Sequence, residues 1–238
     1  MRSVILQPTF IPWVGFFDLM EQVDCFIFLD SVQFNKRSWQ QRNRIKTNQG
    51  LKWLTIPINV KGLRNQNIAD TTMTEPDIFK IKFLKMLEQY YSKSTFFNDY
   101  FPDFSNKIES VSNQNNLSFF NISIIKWCAK ILGINSKFLQ SSHLNINGNR
   151  SELLINICNK IESKDYLSPL GSKDYLKQDE SLFLKHNIKV TLHQYDHPIY
   201  NQMYPPFLPY ASVIDLIFNE GPKSKKIILS GRKPGLIL

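Results

Sequence analysis

Apolar positions recur along this chain at two spacings, and the opening residues show both. Ser3 to Leu6 predicts a short strand closed by Gln7-Pro8. Pro12 suits a first helical turn, where a missing N–H costs nothing, and Trp13, Phe16, Phe17 and Met20 then follow at helical spacing to about Val23. Cys25 to Leu29 (CFIFL) is a fully apolar run of strand length that ends at Asp30. Strand, helix and strand in succession form the repeating unit of a parallel sheet. Leu51 to Ile58 predicts another strand, with Pro57 marking an edge or an end.

From Asp77 to about Gly133 the pattern is helical, with Phe79, Phe83, Met86, Leu87 and Tyr90 on one face. Leu117 to Leu132 is apolar nearly all round, the mark of a buried central helix. Ser151 opens another helix, carrying Leu153, Leu154, Ile157 and Ile161. Short strands are predicted at Asp165 to Leu167 and Lys189 to His193, and a late helix at Ser212 to Phe218 before Gly221-Pro222. The expected fold class is α/β: one domain over residues 1–238, a mainly parallel sheet, and a mostly helical section at about 75–163.

Hydrophobic residues make up 42% and aromatics 13% of the 238 residues, enough to bury a core and to argue against disorder. No apolar stretch reaches the roughly 18 residues of a membrane span, and Pro8 and Pro12 interrupt any leader-like run. The expectation is a cytoplasmic protein with no membrane partner. Cys25, Cys128 and Cys158 are odd in number, widely spaced and set among apolar neighbours, which excludes a disulfide framework and a Cys-rich zinc site.

Charge changes this picture. The net charge is +9, and it is uneven. Ser31 to Ala69 contains no acid but holds Lys36, Arg37, Arg42, Arg44, Lys46, Lys52, Lys61 and Arg64. The chain after Glu220 adds Lys223, Lys225, Lys226, Arg232 and Lys233, again without an acid. Two such segments point to an anionic partner. Phosphate-loop, dinucleotide-fingerprint, zincin and nucleophile-elbow motifs are all absent. His193 and His197 are the one close histidine pair, but strand-and-turn spacing does not set them on one face, so no metal site is expected.

Three segments stand out together: LQPTFIPWVGFFD (Leu6 to Asp18), Phe26 to Ile58, and YDHPIYNQMYPPFLPYASVIDLIFNEGP (Tyr195 to Pro222), with YLSPLGSKDYL between the last two. In these the chain resembles the WbqC-like protein family over nearly its whole length. One departure is that the family commonly has His before the Gln-Pro, where this chain has Leu6. The resemblance implies a cytoplasmic enzyme of bacterial O-antigen, lipopolysaccharide or other surface-polysaccharide biosynthesis that acts on a nucleotide-linked amino sugar. It also suggests transfer of an acyl or aminoacyl unit, for example glycyl, to the sugar's amino group.

Read on their own, the residues offer compatible chemistry. Arg42, Arg44 and Lys46 alternate and would project from one side of an extended segment toward a diphosphate, with Lys36 and Arg37 on the neighbouring turn. Trp39 and Trp53 are candidates to stack on a base or sugar, against a competing role in packing, Trp13 is a further substrate-binding candidate, and Gln7 and Asn43 could serve a hydroxyl or carbonyl oxygen. His197, beside Asp196 and stiffened by Pro198, is the candidate base, and Asp30 could orient the amine or a basic side chain. None of the cysteines reads as a nucleophile. No tightly bound cofactor is expected. The acyl donor would be a thioester on an acidic carrier protein or an aminoacyl-tRNA. Two other readings stay open: a nucleotidyltransferase-like or ATP-dependent amide-forming enzyme, and a basic nucleic-acid-binding module.

Overall fold

In the computed structural model, which describes residues 1–238, the parallel sheet begins as the apolar runs require. Strands β1 (Arg2–Leu6) and β2 (Cys25–Phe28) flank helix α1 (Val14–Glu21) and pair in parallel, Ser3 opposite Cys25 and Leu6 opposite Phe28. All four residues of β2 are buried, because helices cover both faces of the sheet there. The chain then leaves the sheet for an antiparallel hairpin, β3 (Arg42–Thr47) and β4 (Gly50–Thr55), in which Arg44 faces Trp53. The strand expected at Leu51 to Ile58 is therefore the second arm of this hairpin, and it stops before Pro57, whose ring cannot continue a ladder.

Helices α2 (Pro76–Tyr91), α3 (Phe97–Ser112) and α4 (Leu117–Ile131) follow. Asn116 starts α4 by accepting the Phe119 N–H at 2.8 Å, and most of that helix is buried on every side. The sheet resumes with β5 (Lys137–Gln140), which pairs with β2. Helix α5 (Arg150–Lys160) leads to β6 (Asp165–Pro169) beside β1, and short helices α6 (Lys173–Gln178) and α7 (Glu180–Lys185) lead to β7 (Lys189–Tyr195). Helices α8 (Val213–Glu220) and α9 (Ser224–Ser230) precede β8 (Arg232–Ile237), an antiparallel edge strand on β7.

The sheet order is β5-β2-β1-β6-β7-β8, so five parallel strands run outward in both directions from a junction between β1 and β6. Alternation along the strands builds two cores. Val4, Phe26, Phe28 and Leu167 face a cluster of 44 residues that includes α1, α2, α3, α4 and α8. Ile5, Cys25, Ile27 and Tyr166 face a smaller cluster of 14 built on α5, α6 and α7. All three cysteines are buried and unpaired, and no helix is long and apolar enough to cross a membrane.

Candidate functional site

Ligands of open parallel sheets gather beyond the carboxyl ends of the strands, at the point where the strand order reverses. Here that point lies between Gln7 after β1 and Leu170 after β6. It opens into a cleft of about 530 Å³ whose walls include Gln7, Thr9, Trp13, Ser172, Tyr175, His193 and Tyr195. A second pocket of about 430 Å³ shares Thr9, Trp13 and Phe16 with the cleft and adds Trp39, Asn43, Arg44 and Tyr210. The two form one groove that passes over Trp13.

The loop between β1 and α1 is held by the core it enters. Phe10 is fully buried, 5.4 Å from Phe83 and 6.0 Å from Phe79 between ring centres. Asn43 donates to the carbonyls of Phe10 and Ile11 at 3.0 and 2.9 Å, and Asn121 donates to that of Pro8 at 3.1 Å. Ile11 has φ 35, a strained setting for a β-branched residue, and these bonds hold it there. Asn43 therefore spends its amide hydrogens on the loop, and the expectation that it serves substrate as a free donor is corrected. Gln7 differs. Gln40 accepts the Asn35 N–H and donates to Gln7 Oε1 at 2.8 Å, which leaves the Gln7 amide nitrogen without a protein partner at the cleft.

Trp13 precedes α1 and its ring lies across Gly15, where a Cβ would overlap it. In most helices Gly→Ala is favourable by about 0.5–1 kcal/mol. Gly15→Ala is expected to have the opposite sign, lowering the melting temperature and shifting tryptophan fluorescence as the indole is displaced. An alanine variant as stable as the wild type, with unchanged emission, would show that the ring moves freely.

Arg42 and Arg44 lie on the face of the hairpin that carries Trp53, against which Trp39 of the preceding loop packs at 5.4 Å between ring centres. Arg42 sits 4.4 Å from the Trp53 ring centre, and Arg44 sits 5.4 and 5.7 Å from those of Trp53 and Trp39. Trp39 and Trp53 remain 48% and 43% exposed, too open for core packing. Neither guanidinium forms an ion pair, and both Nε atoms are buried without a partner. The other basic segment behaves differently. Lys225, Arg232 and Lys233 pair with Glu21, Asp18 and Asp196, so much of its charge is neutralised within the fold. The expectation of two anion-seeking segments narrows to the one around Arg44.

Several other expected residues lie away from the groove. Lys46 is buried and its ammonium donates to the Pro206 carbonyl at 2.6 Å; burial pushes its pKa down, so it is a packing cation rather than a third phosphate ligand. Lys36 and Arg37 are exposed on the loop before β3 and line neither pocket. Asp30 is fully buried and accepts from Ser118, Gln140, the Ser141 hydroxyl and both N–H and hydroxyl of Ser142, at 3.0–3.2 Å. It is a clamp between β2 and the end of β5, with no free oxygen to orient an amine.

His197 stacks on Trp13 among Tyr200, Phe207 and Tyr210 and lines neither pocket. Its Nδ1 donates to the Pro198 carbonyl at 2.9 Å, and its Nε2 is buried without a partner. Asp196 turns away to Lys233 at 2.9 Å. The expected His197–Asp196 base pair is thus corrected: the ring fills an aromatic box, and burial pushes its pKa below the ordinary 6.5, only partly offset by the Pro198 carbonyl.

The sign of the resulting pH effect is fixed. With the folded pKa below the unfolded one, the unfolded chain takes the proton first as pH falls through 6.5. The contribution of His197 to stability is therefore complete above that value and lost on acidification toward the folded pKa. Urea midpoints measured between about pH 5 and 8 should fall more steeply toward acid for the wild type than for His197→Phe. Parallel curves would contradict this.

One buried cluster joins residues that no sequence spacing connects. Asp18 of α1 is fully buried and bonds His193 Nε2 of β7 at 2.7 Å, Arg232 Nε of β8 at 2.9 Å and Gln22 Nε2 at 2.7 Å. A histidine inside an apolar strand and an aspartate on a buried helical stripe were the available signals, since buried polar groups need partners.

Geometry thus defines an α/β protein with a two-part groove at its topological switch point. The chain belongs to the WbqC-like protein family, whose model matches residues 7–227. It is 35% identical over 224 residues to the uncharacterized protein Rv1507c of Mycobacterium tuberculosis, covering 94% of this chain and 95% of that protein. No solved structure matches.

Proposed function

We propose that this chain is a cytoplasmic enzyme of bacterial surface-polysaccharide synthesis that transfers an acyl or aminoacyl group to the amino group of a nucleotide-linked sugar. The observation that carries the reading is Arg44, which has no acidic partner and only a long 3.5 Å bond to the Tyr210 carbonyl, set over exposed Trp39 and opening across Trp13 into the cleft at the strand-order reversal. A base can stack on the indole, phosphates can take the guanidinium, and the sugar then reaches Gln7 and His193. Lys36, Arg37, Lys61 and Arg64 form no ion pairs and suit the acidic body of a carrier protein or tRNA that brings the donor.

A nucleotidyltransferase-like or ATP-dependent reading draws on the strand order: renumbered in chain order, the five parallel strands run 3-2-1-4-5 across the sheet, an order shared with nucleotide-binding folds. Calorimetric titration of the full chain with dTDP- and UDP-linked amino sugars, ATP and single-stranded RNA separates the readings. Binding of an amino-sugar nucleotide supports the proposal. Preference for ATP supports the second reading. RNA affinity that collapses with salt makes the hairpin a nucleic-acid surface instead.

A further inference from the structure

We propose that His193, held by Asp18, is the catalytic base of the cleft, presenting its unprotonated Nδ1 to the reacting amine. This rests on the reading of the cleft as the amino-sugar site. His193 is only 5% exposed and lines the cleft at the carboxyl end of β7. Its Nε2 is committed to Asp18 at 2.7 Å, and Nδ1 has no protein partner. A carboxylate on one ring nitrogen fixes the tautomer and leaves the other nitrogen as the acceptor.

The support behind the ring exceeds what a simple tie between α1 and β7 needs. Asp18 is itself held by Arg232 and Gln22, so its buried charge is compensated and its position set. The β7–β8 ladder slips between Leu192 and Gln194, around His193 itself. Such irregularities re-aim a side chain beside a site. The titratable groups nearest the ring are Asp18 from α1, Tyr195 from β7, stacked at 5.6 Å, and Arg232 from β8 behind the carboxylate; Tyr166 and Tyr175 share the cleft walls.

The step balances with an acyl thioester or ester as co-reactant. The neutral sugar amine attacks the acyl carbon, forming the C–N bond, and the ammonium of the tetrahedral adduct passes one proton to Nδ1. The C–S or C–O bond then breaks, and His193 returns that proton to the departing sulfur or oxygen.

Two measurements on the full chain test this. Long-range proton–nitrogen NMR of the ligand-free protein should show the neutral His193 ring protonated at Nε2, and Asp18→Asn, whose amide donates instead, should move that proton to Nδ1. A wild-type ring protonated at Nδ1 would overturn the proposal without reference to any substrate. With an amino-sugar nucleotide that binds and an acyl thioester, His193→Gln should lower kcat by roughly 10²–10⁴-fold at unchanged nucleotide-sugar affinity, and Asp18→Asn should lower kcat more than it raises KM. A folded His193→Gln chain with near-normal kcat overturns the proposal, leaving the groove's ligand intact. Failure of every amino-sugar nucleotide to bind a wild type with the Nε2–H ring overturns the reading of the groove, while the ring's poise as a base stands.

Discussion

An Asp30→Ala chain is expected to lose roughly 3–5 kcal/mol of stability, because each buried donor left without an acceptor costs about 1–3 kcal/mol. The carboxylate accepts five hydrogen bonds, three on Oδ2 and two on Oδ1, from Ser118 of α4 and from the run Gln140 to Ser142. Without it, Ser118, Gln140 and Ser142 are left with donors facing a void, and the end of β5 is tied to the turn after β2 only through the bonds of the residue 30 and Ser31 N–H groups and the Ser31 hydroxyl to Ser141. At about 2–4 °C per kcal/mol for a chain of this size, the melting temperature should fall on the order of 10 °C. Asp30→Asn should recover part of the loss, because hydroxyls can rotate toward an amide but the Ser142 N–H cannot. Thermal unfolding of both variants checks this. An alanine variant within about 2 °C of wild type would return Asp30 to the list of possible site residues.

How much of this fold was legible depended on where each strand lies. β2 announces itself because it is buried on both faces, and a run of four apolar residues has few alternatives. β5 (KFLQ) lies at the sheet edge, half-buried, and shows no strand pattern of its own. β8 is harder still: RKPGLI is exposed throughout, contains Pro and Gly, and reads as a basic tail. Only β7 beside it makes it a strand, and an edge tolerates the missing N–H of Pro234.

The same physics divides the site residues. Gln7, Trp13, Trp39 and Arg44, which line the two pockets, stand out as candidates in the sequence because they follow a strand end or lie on an acid-free segment. Asp30 also follows a strand end, yet its partners come from more than 80 positions away and consume it. Asp18 and His193 are 175 positions apart, and no spacing rule joins them. His197 looked poised because an acid precedes it in sequence, but the extended chain turns Asp196 outward to Lys233 while the imidazole turns in among aromatic rings. Adjacency in sequence was a poor guide there because consecutive side chains of an extended segment point to opposite sides.

Trp39→Ala and Arg44→Ala are each expected to weaken binding of an amino-sugar nucleotide by about 5–150-fold, with little change in melting temperature. The range follows from roughly 1–3 kcal/mol for a base stacked on an aromatic ring. Little stability is at stake because Trp39 is half exposed and Arg44 forms no ion pair. The two effects should not add. Arg44 lies over the Trp39 ring as well as over Trp53, so removing the indole also frees the guanidinium that would meet the phosphates. Arg42→Ala should cost less, since Arg42 sits over Trp53 and outside the pocket wall. Lys46→Ala should do the reverse of Arg44→Ala, lowering the melting temperature while sparing affinity, because its ammonium is spent on the Pro206 carbonyl. Calorimetric titration beside thermal unfolding for the four variants reads out both quantities. Equal affinity losses at Arg42, Arg44 and Lys46 would mean that charge alone attracts the ligand. A loss confined to Trp39 and Arg44 would place the nucleotide in the pocket between them and Trp13.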